Sequence, residues 1–217
     1  MIIHCQAVIF DLDGVLIDST ELIEQQWREF ANHTGLDPEY VIDVAHGRRT
    51  EDVLKTLFPE TDSADLAMTL EEKEGIQTDG LKIFPGVKSL LELLPSERWA
   101  VATSGARATA MTRLNFGDLP IPTTLITAER VKKGKPDPEV FLKAAEGLGA
   151  NPTDCMVIED APAGIQAALN AGMKAVGVET SHSRKDLANA TAIIPNAGYL
   201  ELLPTEKNKP LQFLLNS

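Results

Sequence analysis

The sequence is short of the features that mark secreted, membrane-bound or nucleic-acid-binding proteins. Only two cysteines occur in 217 residues, Cys5 and Cys155, far apart and outside any CxxC pattern. That excludes a disulfide framework and a cysteine zinc site, and it fits a reducing compartment. Basic residues are outnumbered, 20 Lys and Arg against 32 Asp and Glu, for a net charge of −12. A nucleic-acid or anionic-membrane partner needs positive surface, so neither is expected, whereas a small anionic substrate is compatible with a local site of opposite sign. No apolar run reaches the ~18 residues of a membrane span. The opening MIIHCQAVIF meets Asp11 and Asp13 at once, without a basic leader or small-residue cleavage site, and does not read as a signal peptide. There are no internal repeats or low-complexity tracts. A cytoplasmic chain is expected, a monomer or weak dimer.

What is present is an ordinary globular mixture, 43% hydrophobic and 24% charged, at a length between one and two domains. Short apolar runs alternate with helix-length amphipathic stretches. Candidate strands are Ala7–Phe10, Trp99–Thr103, Thr124–Ile126, Met156–Ile158 and Ala175–Val178, with a weaker one at Ala192–Ile194. Their solid hydrophobicity suits strands buried on both faces. Helices are expected around 86–94, 106–115, 138–148 and 163–171. This alternation predicts an α/β fold, a Rossmann-like doubly wound parallel sheet. Between Thr20 and Gly80 the alternation stops and only helical periodicity remains. Ile23, Trp27 and Phe30 fall on one stripe, and Glu51–Phe58 and Ala64–Gly75 are charged and helical. The expected division is a core of residues 1–17 and 82–217 with an inserted helical domain at 18–81, hinged near Ile17–Thr20 and Gly80–Pro85. The tail after Pro204 reads either as a docked extension or as a loose end.

Four segments carry chemistry. The first strand ends in Asp11-Leu12-Asp13-Gly14, two carboxylates where open α/β sheets place ligands. Such a pair can hold a hard divalent cation, or act as nucleophile and proton handler. Glu159-Asp160 ends a later strand; Asp160 doubles as a candidate N-cap, with Pro162 in the first turn of the helix that follows. Four carboxylates at one sheet edge would repel each other strongly without a cation between them. Thr103-Ser104-Gly105 offers a hydroxyl and backbone N–H groups at a helix start, suited to phosphate oxygens. Lys135, in a rigid Lys-Gly-Lys-Pro-Asp-Pro loop before a helix capped by Asp137, can neutralise a phosphoryl group; Lys132 and Lys133 read as a solvated patch.

In that order the segments resemble the haloacid dehalogenase superfamily of aspartyl-phosphate phosphotransferases, over nearly the whole chain. DLDGV, Thr103, GKPDP and IEDAPAGI match its four motifs, and the helical insertion resembles the cap of its sugar-phosphate subgroup. The resemblance implies that Asp11 attacks phosphorus and that Asp13 first protonates the leaving alkoxide, then deprotonates water. It implies Mg²⁺ on the Asp11 carboxylate, the Asp13 carbonyl and Asp160, with Glu159 a direct or water-mediated ligand. Thr103, Ser104, Gly105 and Lys135 are expected to hold the phosphoryl oxygens. In the cap, Arg48 and Arg49 are the expected substrate contacts; His4, His33 and His182 are given no role. The implied activity is hydrolysis of a small phosphorylated metabolite, a sugar or polyol phosphate, with a β-phosphoglucomutase-type mutase as the alternative. The mutase pattern carries a histidine on the first cap helix and an arginine on the distal phosphate. Here an ungapped comparison puts Ile23 and Thr50 there, with Arg49 one place off, which favours the phosphatase.

Overall fold

In the computed structural model, residues 1–206 and 209–216 are described. The chain opens with β1 (Ile2–Cys5) and β2 (Ala7–Phe10). Two-residue β3 (Ile17–Asp18) leads into four helices: α1 (Thr20–Thr34), α2 (Pro38–Ala45), α3 (Thr50–Leu57) and α4 (Ala64–Gly75). The return runs through β4 (Lys82–Ile83), α5 (Val87–Leu93), β5 (Trp99–Ala102), α6 (Arg107–Phe116) and β6 (Thr124–Ile126). It continues with α7 (Glu139–Gly147), β7 (Cys155–Glu159), α8 (Pro162–Asn170), β8 (Lys174–Val178) and β9 (Ala192–Ile194). Strands β10 (Leu200–Leu202) and β11 (Leu211–Leu215) close the described chain.

Six strands form a parallel sheet in the order β6-β5-β2-β7-β8-β9, the doubly wound arrangement expected from the alternation. Strand β2 explains why its sequence is solidly apolar. Val8 and Phe10 pack into the cluster on one face, with Leu90 and Leu114; Ala7 and Ile9 pack into the other, with Phe141 and Ile165. All four are buried, so neither face tolerates a polar residue. Phe10 is level with Val101 of β5 and with Ile158 of β7, so the residues after all three strands emerge at one edge. That edge lies where the chain, having wound outward through β5 and β6, crosses back to β7 on the other side of β2. Ligands of open α/β sheets bind at such a switch point.

The helical insertion has an apolar core of its own. Trp27 and Phe30 of α1 meet Val41 and Ile42 of α2 and Val53 and Leu54 of α3. Trp27 and Phe30 stack edge to face at 5.5 Å, as their shared stripe implies. Helix α2, eight residues long, is an addition to the expected elements: Asp37 accepts the Tyr40 N–H and Pro38 stands at the first helical position, an N-terminal helix signature. The two connecting segments pair with each other, Ile17 opposite Ile83 and Asp18 opposite Lys82, so the insertion is joined to the sheet through a two-stranded ribbon.

A second, antiparallel sheet has the order β1-β11-β10. The tail is therefore docked, its Leu211, Phe213 and Leu215 buried in alternation. Lys207, Asn208 and Ser217 of that tail lie outside the described residues. Both cysteines are buried with free thiols, and burial pushes Cys5 up to about 12. Among the described residues, no helix is long and apolar enough to cross a membrane.

Candidate active site

Asp11 leaves the end of β2 with its carboxylate buried, and Lys135 reaches it from the loop before α7, Nζ lying 3.0 Å from Asp11 Oδ1. The same ammonium donates to Glu159 Oε1 and sits 5.1 Å from the centre of the Phe141 ring. Glu159 Oε2 accepts the Ala161 N–H at 2.7 Å, so both oxygens of this fully buried carboxylate are engaged. Asp11 Oδ1, by contrast, is buried with the Lys135 ammonium beside it, and among the described residues it accepts no hydrogen bond of good geometry. Asp160 Oδ2 accepts from Ser181 Oγ, and carboxylate oxygens of Asp11, Glu159 and Asp160 lie within 4.8 Å of one another. Gly14, with φ 76°, lets the backbone pass against this cluster, because a Cβ there would collide with the Asp160 carboxylate.

The electrostatics follow from crowding three buried acids around one buried ammonium. Burial pushes the Asp11 carboxyl up to about 7, opposed by Lys135 and aided by the charge of Glu159. Burial and the Glu159 charge hold Asp160 well above the ordinary carboxylate range. Burial pulls the Lys135 ammonium down, but Asp11 and Glu159 outweigh it and keep it charged. Three buried carboxylates set against a single ammonium leave an all-oxygen donor set with net negative charge, which fits a hard divalent cation. Asp11 and Asp160 have oxygens to offer it, whereas Glu159 is committed to Lys135 and Ala161.

Thr103 follows β5, and its Oγ1 accepts the Gly105 N–H at 3.0 Å. Asp13 lies across from this loop. Its Oδ1 accepts two hydrogen bonds, from Ser19 Oγ at 2.6 Å and Arg113 Nε at 2.8 Å. A small cavity of about 80 Å³ separates the strand ends from the helical insertion. Asp11, Asp13, Thr103, Ser104, Gly105 and Asp160 form its floor; Ile23, Trp27, His46, Arg48 and Thr50 stand opposite. The two halves touch where Ser104 Oγ donates to the Gly47 carbonyl at 2.8 Å. Gly47 has φ 70°, and a Cβ there would strike Ala161 across the seam.

The expected site residues thus converge, with four corrections. Asp160 is not the N-cap of α8: Ala161 holds that position and Pro162 opens the helix, so the carboxylate, one residue too early, turns inward to Ser181. Asp137 is not the cap residue of α7 by position, since Pro138 is, although Asp137 Oδ1 still accepts the Glu139 N–H at 3.0 Å. The two arginines diverge. Arg48 lines the cavity, whereas Arg49 is 6% exposed and faces away from it. Its guanidinium grips Asp52 through Nε and Nη2 at 2.7 and 2.8 Å and donates to the Val131 and Lys132 carbonyls. His182, given no role by sequence, places Nδ1 3.1 Å from the Asp160 carbonyl and packs its ring against His46, centroids 5.1 Å apart.

Three polar residues around the carboxylates went unnoticed in the sequence: Ser19, Ser181 and Arg113. The serines carry no local signal. Arg113 carries one, because it falls on the stripe Ala106, Thr109, Ala110, Arg113, Leu114 that α6 buries, and a fully buried arginine on an inward face needs partners there.

A doubly wound sheet bearing this acidic cluster beneath a helical insertion defines a class of enzyme. The chain belongs to the haloacid dehalogenase-like hydrolase family, whose model matches residues 8–178. It is 39% identical over 180 residues to hexitol phosphatase A of Escherichia coli, covering 81% of this chain and 83% of that protein. It is 38% identical over 187 residues to glycerol-1-phosphate phosphohydrolase 2 of Saccharomyces cerevisiae, covering 81% and 75% of the two chains. Among solved structures, β-phosphoglucomutase from Clostridium difficile matches with a TM-score of 0.74 at 27% identity, over 91% of this chain and 93% of that one.

Proposed function

We propose that this protein hydrolyses the phosphate monoester of a small sugar or polyol, using Mg²⁺ and an aspartyl-phosphate intermediate, with residues 18–81 as a cap over the site. One observation carries the reading: a buried Asp11, ion-paired to Lys135, at the floor of a cavity that holds Asp13 and Thr103. The relatives named for hexitol and glycerol 1-phosphate support a linear polyol ester.

The Asp11 carboxylate forms a new bond to phosphorus as the bond to the leaving oxygen breaks, and that oxygen takes a proton from Asp13. Asp13, now ionised, accepts a proton from water as the water oxygen bonds phosphorus and the Asp11–phosphorus bond breaks. Inorganic phosphate leaves, with Asp11 restored as a carboxylate and Asp13 protonated. Lys135 and the Thr103-Ser104-Gly105 segment hold the equatorial oxygens, and Glu159 keeps the ammonium in place. Phosphoryl transfer is mostly positioning and charge neutralisation, which this set supplies. A divalent cation on Asp11, the Asp13 carbonyl and Asp160 would add positive charge where the phosphoryl group and the carboxylates meet. The cap excludes bulk water and sets the leaving group through Arg48, Thr50 and the apolar wall of Ile23 and Trp27.

A mutase would use the same nucleophile and is the rival reading, given the resemblance to β-phosphoglucomutase. A mutase must grip a second phosphate while the sugar reorients. Ile23 has no proton to relay, and Arg49 is spent on Asp52 and the core loop, which supports hydrolysis. The test is a panel of hexitol, glycerol and hexose phosphates with Mg²⁺. Free phosphate is expected, with no interconversion of glucose 1- and 6-phosphates. Efficient interconversion primed by a bisphosphate, with little phosphate released, overturns the hydrolase.

A further inference from the structure

Arg113 is an unusual side chain to find with no exposure at all. It sits in α6, with its guanidinium between Asp13 on the core and the end of the helical cap. Nε donates to Asp13 Oδ1 at 2.8 Å, Nη2 to Glu74 Oε1 at 3.1 Å at the last turn of α4, and Nη1 to the Gln77 carbonyl at 3.2 Å. Burying an ion pair of this kind is seldom the most stable solution, because apolar residues of similar volume often do as well or better. The arrangement has a geometric consequence instead. Asp13 Oδ1 is saturated by Ser19 and Arg113, while Oδ2 accepts no hydrogen bond among the described residues. A Cβ placed on Gly105 would come within van der Waals range of both Oδ2 and Thr103 Oγ1, so Oδ2 is directed to the side of the cavity where Gly105 and Thr103 stand. A carboxylate that moves a proton must present one oxygen in a fixed direction.

The geometry points to Arg113 as the positioning residue for Asp13: one guanidinium clamps Oδ1, leaves Oδ2 alone facing the cavity, and ties that orientation to the seated end of the cap. Only a planar fork spans three acceptors in this way; a lysine ammonium on the same stem is a single point charge. The inference rests on the aspartyl-phosphate reading above and adds a residue that touches neither substrate nor metal.

The experiment separates the two. With 4-nitrophenyl phosphate, the phenolate leaves without needing a proton, so Asp11 can be phosphorylated even when Asp13 is misdirected. Hydrolysis of the intermediate still requires Asp13 to accept a proton from water. Rapid-mixing bursts of 4-nitrophenolate and acid-quenched protein-bound phosphate are read for the wild-type Mg²⁺ enzyme, Arg113→Lys and the double variant Arg113→Met/Glu74→Gln. The double variant removes the carboxylate that would otherwise be stranded. Both variants should give a burst of about one phenolate per folded enzyme, then decay of the phosphoenzyme slowed on the order of tenfold to a hundredfold, a fraction of what general acid–base catalysis contributes. Thr112→Val, which removes only the bond from Thr112 Oγ1 to the Gly75 carbonyl, should decay at the wild-type rate. Absence of protein-bound phosphate and of a burst from the wild type and from both Arg113 variants overturns the aspartyl-phosphate reading itself. If the wild type is phosphorylated but either Arg113 variant loses its phosphate at the wild-type rate, the positioning role falls. It falls equally if Thr112→Val slows the decay as much, since loose cap docking would then suffice.

Discussion

Ser104 Oγ donates to the Gly47 carbonyl, a 2.8 Å bond between the loop after β5 and the turn between α2 and α3. It places the strand ends and the cap in direct contact, and Arg49 adds a second tie to the loop that carries Lys135. Adjacent arginines therefore serve different ends, one facing the cavity and one fastening the seam.

Replacing them should separate those ends. Arg48→Ala is expected to change the ranking of hexitol, glycerol and hexose phosphates while leaving 4-nitrophenyl phosphate nearly unaffected. Arg49→Ala strands Asp52 and leaves the buried Val131 carbonyl and the half-buried Lys132 carbonyl without their donor, so kcat/KM should fall by a similar factor on every substrate, with destabilisation of about 1–3 kcal/mol. Steady-state kinetics over the panel, with thermal melts, checks both. Substrate-selective losses in Arg49→Ala would place its side chain at the leaving group.

Asp11→Asn should be folded and inactive. The amide is nearly isosteric but cannot attack phosphorus, and one buried negative charge is removed from beside Glu159 and Asp160. Its melting temperature at pH 8 without metal should equal or exceed that of the wild type. Measurable turnover by the purified variant would remove Asp11 as nucleophile.

Lys135→Met should be severely destabilising. The ammonium is the shared partner of Asp11 and Glu159, both essentially without solvent. Breaking a buried pair by deleting one member typically costs about 3–5 kcal/mol. Chemical denaturation gives the value. A loss below 1 kcal/mol would mean that the two carboxylates are protonated or solvated in the variant.

Metal-stripped protein should become less stable as pH rises. Asp11 and Glu74 both titrate near about 7 when folded, against ordinary values of 3.8 and 4.5. Between about pH 4 and about pH 7 the native state retains protons that the unfolded chain has released, so the stability falls with pH across that window. Melting temperatures should be higher at pH 5 than at pH 8. Saturating Mg²⁺ should flatten the slope by raising stability at pH 8, because a cation competes with protons for Asp11, and Asp160→Ala should blunt that gain. A profile that is flat in EDTA would contradict the raised Asp11 value.

The parallel core was legible because each central strand must be apolar on both faces, and Ala7–Phe10, Trp99–Ala102 and Cys155–Glu159 are short runs with no polar alternation. The second sheet was not legible. Ile2–Cys5 finds its partner in Leu211–Leu215 at the far end of the chain, and nothing local announces that pairing. Helix α2 did have a signal, Asp37-Pro38, which its brevity obscured.

The same division runs through the site. Asp11, Asp13, Thr103, Lys135, Glu159 and Asp160 were readable because each sits at or just beyond the end of a strand, or just before a helix, where backbone geometry alone decides that a side chain reaches the sheet edge. What a side chain does on arrival was decided by partners distant in sequence. The sequence could not tell that Glu159 spends both oxygens on Lys135 and Ala161, or that Arg113, 100 positions away, takes hold of Asp13. Nor could it separate Arg48 from Arg49, since both lie in the non-helical turn before α3, where no periodicity says which way a side chain points. Local pattern determined which chemical groups meet, because it is set by the periodicity of strands and helices. Tertiary structure alone decided their hydrogen bonds, protonation and division of roles, because those depend on which donors and charges burial brings within about 3 Å.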